Sequence, residues 1–287
     1  MLFRYPNKKD GVHMFSFSIS TWSMRQSLGP LRWTIWNEET KNQEIREEWK
    51  PQELELTDLP MEAKQNGLSY LEVCHFQIPS TDASYLAELR ASFESASIGF
   101  LTLLVDYGDI SSPDNIRRES DIAYLCGWIE AAAKAGATAV RVVAGEQPAD
   151  DAAAIARSCS ALKQLALYGA ERGVRVVTEN FRPLTATLSS WSTIMNNVGS
   201  IVPTIIDFGN FQPSEKANGI SHGASMAHSI HAKPNYLPDG SVDANELAIM
   251  LRILKDRGCN VPLSIIADKG ETRWDQIDAI KSLISVL

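Results

Sequence analysis

Residues 150–180, DDAAAIARSCSALKQLALYGAERGVRVVTEN, contain one complete structural period. The Ala-, Leu- and Ile-rich run up to Arg172 reads as a helix, and Gly173 ends it, as glycine commonly does. Val174, Val176 and Val177 then read as a buried strand. At its carboxyl end the chain places an acid, Glu179, and an amide, Asn180. A carboxylate at the rim of a core is costly unless a cation or hydrogen-bond donors meet it. Glu179 therefore calls for a partner.

The same period recurs in both directions. The β-rich runs are MFSFSIS (14–20), LSYLEVC (68–74), SIGFLTLLVD (97–106), ATAVRVV (137–143), GVRVVTE (173–179), IVPTIID (201–207), AHSIHAK (227–233) and NVPLSIIAD (260–268), separated mostly by helical segments. Eight β-then-α units in this length predict an α/β fold, a single-domain (β/α)8 TIM barrel over residues 1–287. A doubly wound open sheet also alternates β and α, but no GxGxxG follows the first strand and no P-loop occurs. Residues 1–13 read as an N-terminal extension. Residues 24–58 form a long first β-to-α connection that carries Trp33 and Trp36. It is either a solvated, charged loop with a short helix or a lid over the catalytic face.

A net charge of -8 argues against a nucleic-acid groove, which Lys and Arg normally dominate. The four cysteines lack any CxxC pairing and read as reduced, buried thiols, as expected of a cytoplasmic protein. No apolar run approaches the ~20 residues that span a bilayer. The N-terminus lacks a hydrophobic core followed by a small-residue cleavage site, so no membrane partner or secretion is expected.

In a barrel, polar side chains at the carboxyl ends of strands converge over its mouth. The first strand runs into Trp22, the second into Glu72 and His75, the third into Asp106 and the fourth carries Arg141. The fifth ends in Glu179 and the sixth in Asp207 and Asn210; the seventh gives His228, His231 and Lys233, and the eighth Asp268. Glu179, Asp207, His231 and Asp268 at four successive strand ends form an oxygen and nitrogen donor set suited to one divalent metal: Mn²⁺, Mg²⁺, Co²⁺ or Zn²⁺. Each residue alone has a plainer reading. Glu179 would pair with Arg182, and a single His would be a satisfied core residue. Arg141 is either a substrate ligand or an interior ion-pair partner, and His75 either a substrate ligand or structural.

With these residues in view, the sequence resembles the xylose-isomerase-like TIM barrels, the sugar phosphate isomerase/epimerase superfamily. The resemblance runs from FSISTWS to ADKGETRWDQ and is most specific in TEN, DFGNF and HAK followed by DG. It implies one divalent metal held by Glu, Asp, His and a final Glu on strands five to eight, which carries over to Glu179, Asp207 and His231. At the fourth position the chain reads LSIIADKGE, so Ile266 stands where the family ligand lies. Asp268 is two residues on and, by strand alternation, faces the same way; it either replaces that ligand or is a surface residue. Asn210 stands where several ketose epimerases carry a substrate-binding His.

The resemblance further implies a metal-dependent isomerase or epimerase acting on a sugar, sugar phosphate or polyol through an enediolate-type intermediate. Glu179 and Asp268 would then be the proton-transfer carboxylates, with Trp22, His75, Arg141, Asn210 and Lys233 around a small carbohydrate. A homo-oligomer is an expectation of the resemblance alone. Two other readings stand beside it. One is a metal-free barrel that binds a small ligand or partner protein. The other is an endonuclease IV-like repair enzyme, which five His in an acidic chain disfavour.

Overall fold

A computed structural model describes residues 15–269 and 273–286. The extension at residues 1–13 lies outside the described residues. Eight parallel strands close into a barrel: β1 (Phe17–Ser20), β4 (Tyr70–Cys74), β5 (Gly99–Val105), β6 (Ala139–Val142), β7 (Arg175–Glu179), β8 (Thr204–Asp207), β9 (Ala227–Ala232) and β10 (Leu263–Ile265). Around them lie α1 (Leu59–Gln65), α2 (Ala83–Ala96), α3 (Asn115–Ala135), α4 (Ala152–Ala170), α5 (Leu188–Val198), α6 (Lys216–Gly223), α7 (Ala244–Asp256) and α8 (Arg273–Val286). The predicted (β/α)8 barrel is the observed one.

Local chemistry sets the element boundaries. The Asp151 side chain caps α4 by accepting from the Ala154 amide at 2.9 Å, and Asp114 caps α3 by accepting from Ile116 at 2.8 Å. Gly136 and Gly173 turn the chain out of these two helices at φ +81 and +74, backbone that glycine adopts without strain. Outward-facing Val140, Val142, Val176, Ile206 and Ile230 join the helix faces in one large core. Leu162 and Leu165 of α4 belong to that core. No described helix is long and apolar enough to cross a membrane.

Strand alternation decides what enters the barrel. Ala139 and Val177 share an interior cluster with Leu104, Cys74 and Ile205, so their i+2 neighbours Arg141, Glu179 and Asp207 also face inward, one pleat higher. The barrel mouth therefore inherits the last inward residue of each strand.

The first β-to-α connection is not a loop with a short helix, and of Trp33 and Trp36 only Trp33 lines the cavity at the barrel mouth. Residues 31–48 form an antiparallel hairpin, β2 (Leu31–Asn37) with β3 (Asn42–Glu48). The run LRWTIWN is rich in β-formers, but apolar side chains stand on both of its faces, so no clean alternation announced a strand. One face sets Trp33 on Phe76 with ring centroids 4.3 Å apart. The other sets Trp36 near Arg117 and Thr34 on Tyr124 at 2.7 Å.

Two buried histidines make this fold acid-sensitive. Burial pulls both His75 and His228 down to about 4. The folded state holds them neutral, while the unfolded chain takes up protons below pH ~6.5. Stability is therefore full above that value and falls as pH drops toward 4, by roughly 3 kcal/mol per histidine. Urea denaturation at pH 7 and pH 4.5 measures the drop, and His228→Gln should remove about half of it. Equal stability at the two pH values would contradict the assignment.

Candidate metal centre and substrate cavity

Glu179, Asp207 and His231 come together at the barrel mouth, none more than 5% exposed. Asp207 and His231 are direct partners in the β8–β9 register, which sets them side by side. His231 Nδ1 lies 3.5 Å from Glu179 Oε1 and 3.6 Å from Asp207 Oδ2. One donor atom from each residue lies within 4.8 Å of the other two, a set that could hold a metal ion.

The supporting contacts fix each member. His231 Nε2 meets Glu72 Oε2 at 2.7 Å, and the Ser229 hydroxyl donates to Glu72 Oε1 at 2.9 Å. Glu72 is fully buried on β4. Burial pushes its carboxyl up, but the charge and hydrogen bond of His231 outweigh this and hold it at about 2. Burial likewise pulls His231 down, and the charges of Glu72 and Glu179 outweigh it, raising His231 well above the usual imidazole range. Glu72 thus orients the ring so that Nδ1 faces the two carboxylates, the carboxylate–histidine arrangement common behind metal ligands.

Asn180 clamps the Asp207 backbone from both sides: its Nδ2 donates to the Asp207 carbonyl at 3.0 Å and its Oδ1 accepts from the Asp207 amide at 2.8 Å. The Gly209 amide donates to Asp207 Oδ1 at 2.6 Å. A Cβ at Gly209 would lie 2.7 Å from Lys233 Cδ, so a larger residue there would displace the Lys233 side chain. Asn210 Nδ2 reaches Glu179 Oε1 at 3.3 Å, and Arg141 Nε lies 3.3 Å from Glu179 Oε2. Glu179 pairs with Arg141, not with Arg182 as one sequence reading had it. Glu179 Oε2 is buried with no hydrogen-bond partner among the described residues.

This donor set suits a divalent cation. Two buried carboxylates and an oriented imidazole converge from one side, and an unsatisfied carboxylate oxygen remains. The trio opens onto a cavity of about 260 Å³. Trp22 and Trp33 line it, together with Asn210, Lys233 and Arg141.

Three expected participants sit elsewhere than their sequence reading placed them. Asp268 is not brought to the trio: its Oδ2 meets Lys233 Nζ at 3.2 Å, and its carbonyl accepts from Arg25 at 2.9 Å. Regular strand ends at Ile265, so alternation no longer governs where residue 268 points. Buried Ile266 lines the cavity instead. His75 starts a 3-10 turn after β4 and faces outward, accepting from the Asp106 amide at 3.2 Å and meeting Thr34 at 3.3 Å. It borders a separate cavity with Tyr124 and Trp128. Trp36 does not line the site cavity, whereas Trp33 does.

The reading of the sequence missed the roles of Glu72, Asp106 and Arg182. An acid in the middle of YLEVC, among residues that must be buried, was a usable signal for Glu72.

No curated protein sequence matches the chain. Among solved structures it is similar to an L-ribulose 3-epimerase at 15% identity and a TM-score of 0.70, covering 95% of this chain and 94% of that one. It is similar to the IOLI protein, solved with a bound zinc atom, at 16% identity and 0.69, covering 94% and 96%. A D-psicose 3-epimerase solved in the presence of D-fructose aligns at 14% identity and 0.65, covering 95% of each chain. These likenesses concern the fold. Residues 61–261 match the xylose isomerase-like TIM barrel family, and the chain belongs to it.

Proposed function

We propose that the protein is a divalent-metal-dependent isomerase or epimerase acting on a small carbohydrate. The observation that carries this reading is the buried Glu179–Asp207–His231 trio, open on one side to a tryptophan-lined cavity. The carbohydrate epimerases among the similar structures support the substrate class.

Glu179, Asp207 and His231 would hold the cation. When bound, a divalent cation supplies a Lewis acid that polarises a sugar carbonyl and its neighbouring hydroxyl. Trp22 and Trp33 offer flat apolar surface to a sugar's C–H faces and exclude water. Asn210 and Arg141 hold Glu179 from its Oε1 and Oε2 sides, orienting the carboxylate that would accept a proton from the carbon next to the carbonyl. Lys233 is placed to donate to a substrate oxygen.

A metal-free binding barrel is the second reading, favoured by buried Ile266 and by the capture of Asp268 by Lys233. Solvent exchange separates the two. Protein loaded with Mn²⁺ and incubated in D₂O with a panel of ketoses and aldoses should place deuterium on the carbon beside the carbonyl of at least one sugar. Full metal occupancy without exchange on any sugar would remove the enzyme reading.

A further inference from the structure

The cavity wall beside Glu179 is built of two arginines that converge on one residue. Arg141 pairs with the Asp106 carboxylate, and Arg182 Nη2 donates to the Asp106 carbonyl at 2.8 Å. Both guanidiniums lie against Phe181, 5.1 and 4.8 Å from its ring centroid. Arg141 is 3% exposed, yet its Nη1 has no hydrogen-bond partner among the described residues. A buried donor without an acceptor is unfavourable and is commonly found where something else completes it.

Arg182 adds an independent observation. Its backbone has φ +81 and ψ 164, a region essentially reserved for glycine. The chain nevertheless carries an arginine here, reaching the cavity beyond an ion pair with Glu146 at 3.4 Å. Strain of this sort persists where a side chain is needed in place.

We infer that the substrate carries an anionic group, a carboxylate or a phosphate, which Arg141 and Arg182 receive while the trio faces the carbonyl end. The inference rests on the carbohydrate reading above. Guanidinium forks suit both anions, and a cavity of about 260 Å³ suits one monosaccharide-sized ligand.

Isothermal titration of the Mn²⁺-loaded protein tests it. The probes are a neutral ketose, a sugar acid of the same chain length, a ketose phosphate and inorganic phosphate. One of the two anionic sugars should bind at least about tenfold tighter than the neutral one, and which of them does so names the anion. Arg182→Gly should bring that ratio close to one, and Arg182→Lys should leave it intermediate. Glycine adopts this backbone without strain, so Arg182→Gly folds, with Tm lowered by no more than about 2 °C. Equal affinities for neutral and anionic sugars in the wild type would overturn the anion handle and leave the carbohydrate reading standing. So would a ratio unchanged in Arg182→Gly. Inorganic phosphate bound by the wild type but not by Arg182→Gly, with no sugar bound, would overturn the carbohydrate reading and keep the handle. Binding of none of the four would overturn both.

Discussion

Glu179→Gln should retain less than about a tenth of an equivalent of Mn²⁺ after desalting, where the wild type retains close to one, and should lose at least roughly 10³-fold in turnover. The substitution keeps the side chain's shape and removes its charge and its proton-accepting oxygen. Both losses act at one place. Glu179 Oε1 lies 3.5 Å from His231 Nδ1 in the donor cluster, and Oε2 lies 3.3 Å from Arg141. Glu179→Asp separates the two roles. It keeps the charge but draws the carboxylate back by one methylene, so metal should be held more weakly while proton transfer is largely lost, by roughly 10²–10⁴-fold. Elemental analysis of the desalted proteins decides. Stoichiometric metal in the wild type that is absent from Glu179→Gln supports the catalytic cation. No metal in either protein sinks the isomerase mechanism and leaves Glu179 as the buried ion-pair partner of Arg141.

Much of this arrangement was legible in the residues. Most barrel strands are short apolar runs bounded by a helix stop and a polar end, and those two signals are local. The convergence of Glu179, Asp207 and His231 follows once the strands are known to be adjacent, because period-two alternation aims the last inward residue of each at the same space. What escaped the sequence lies where alternation stops. Asp268 stands beyond the end of β10, where an ion pair with Lys233 sets its direction instead. His75 opens a 3-10 turn, which carries it to the outer face of the strand ends. The hairpin in the first connection hid because Trp33 and Trp36 serve opposite faces: one packs on Phe76 over the cavity, the other lies near Arg117 of α3. Glu72 was visible as an acid in a strand, but its contact with His231 joins residues far apart in the chain. Long-range pairs of this kind depend on register, which one sequence does not state.

Ile266→Glu should have the second large effect, with a sign that depends on metal. Ser264 is the register partner of His231 in the β9–β10 pair and is fully buried, and residue 266 lies one pleat above it, lining the cavity. Its amide donates to the Ala232 carbonyl at 3.3 Å, so the backbone is held there. A carboxylate at this position joins Glu179 and Asp207 with no new cation to meet it. Without metal the variant should therefore lose about 3–5 kcal/mol, the usual cost of an uncompensated buried charge. That corresponds to roughly 10 °C in Tm for a domain of this size. With Mn²⁺ the same carboxylate becomes a fourth donor beside Glu179, Asp207 and His231, and part of the loss should be recovered. A tenfold gain in affinity alone adds about 1.4 kcal/mol at saturating metal. The quantity to measure is the metal-induced shift in Tm, which should be several degrees larger in Ile266→Glu than in the wild type. An equal shift in the two proteins would mean that residue 266 does not face the donor cluster and that the open coordination positions lie elsewhere. A shift in the variant with none in the wild type would mean that three ligands are too few, and that this chain lost its metal when isoleucine took the fourth position.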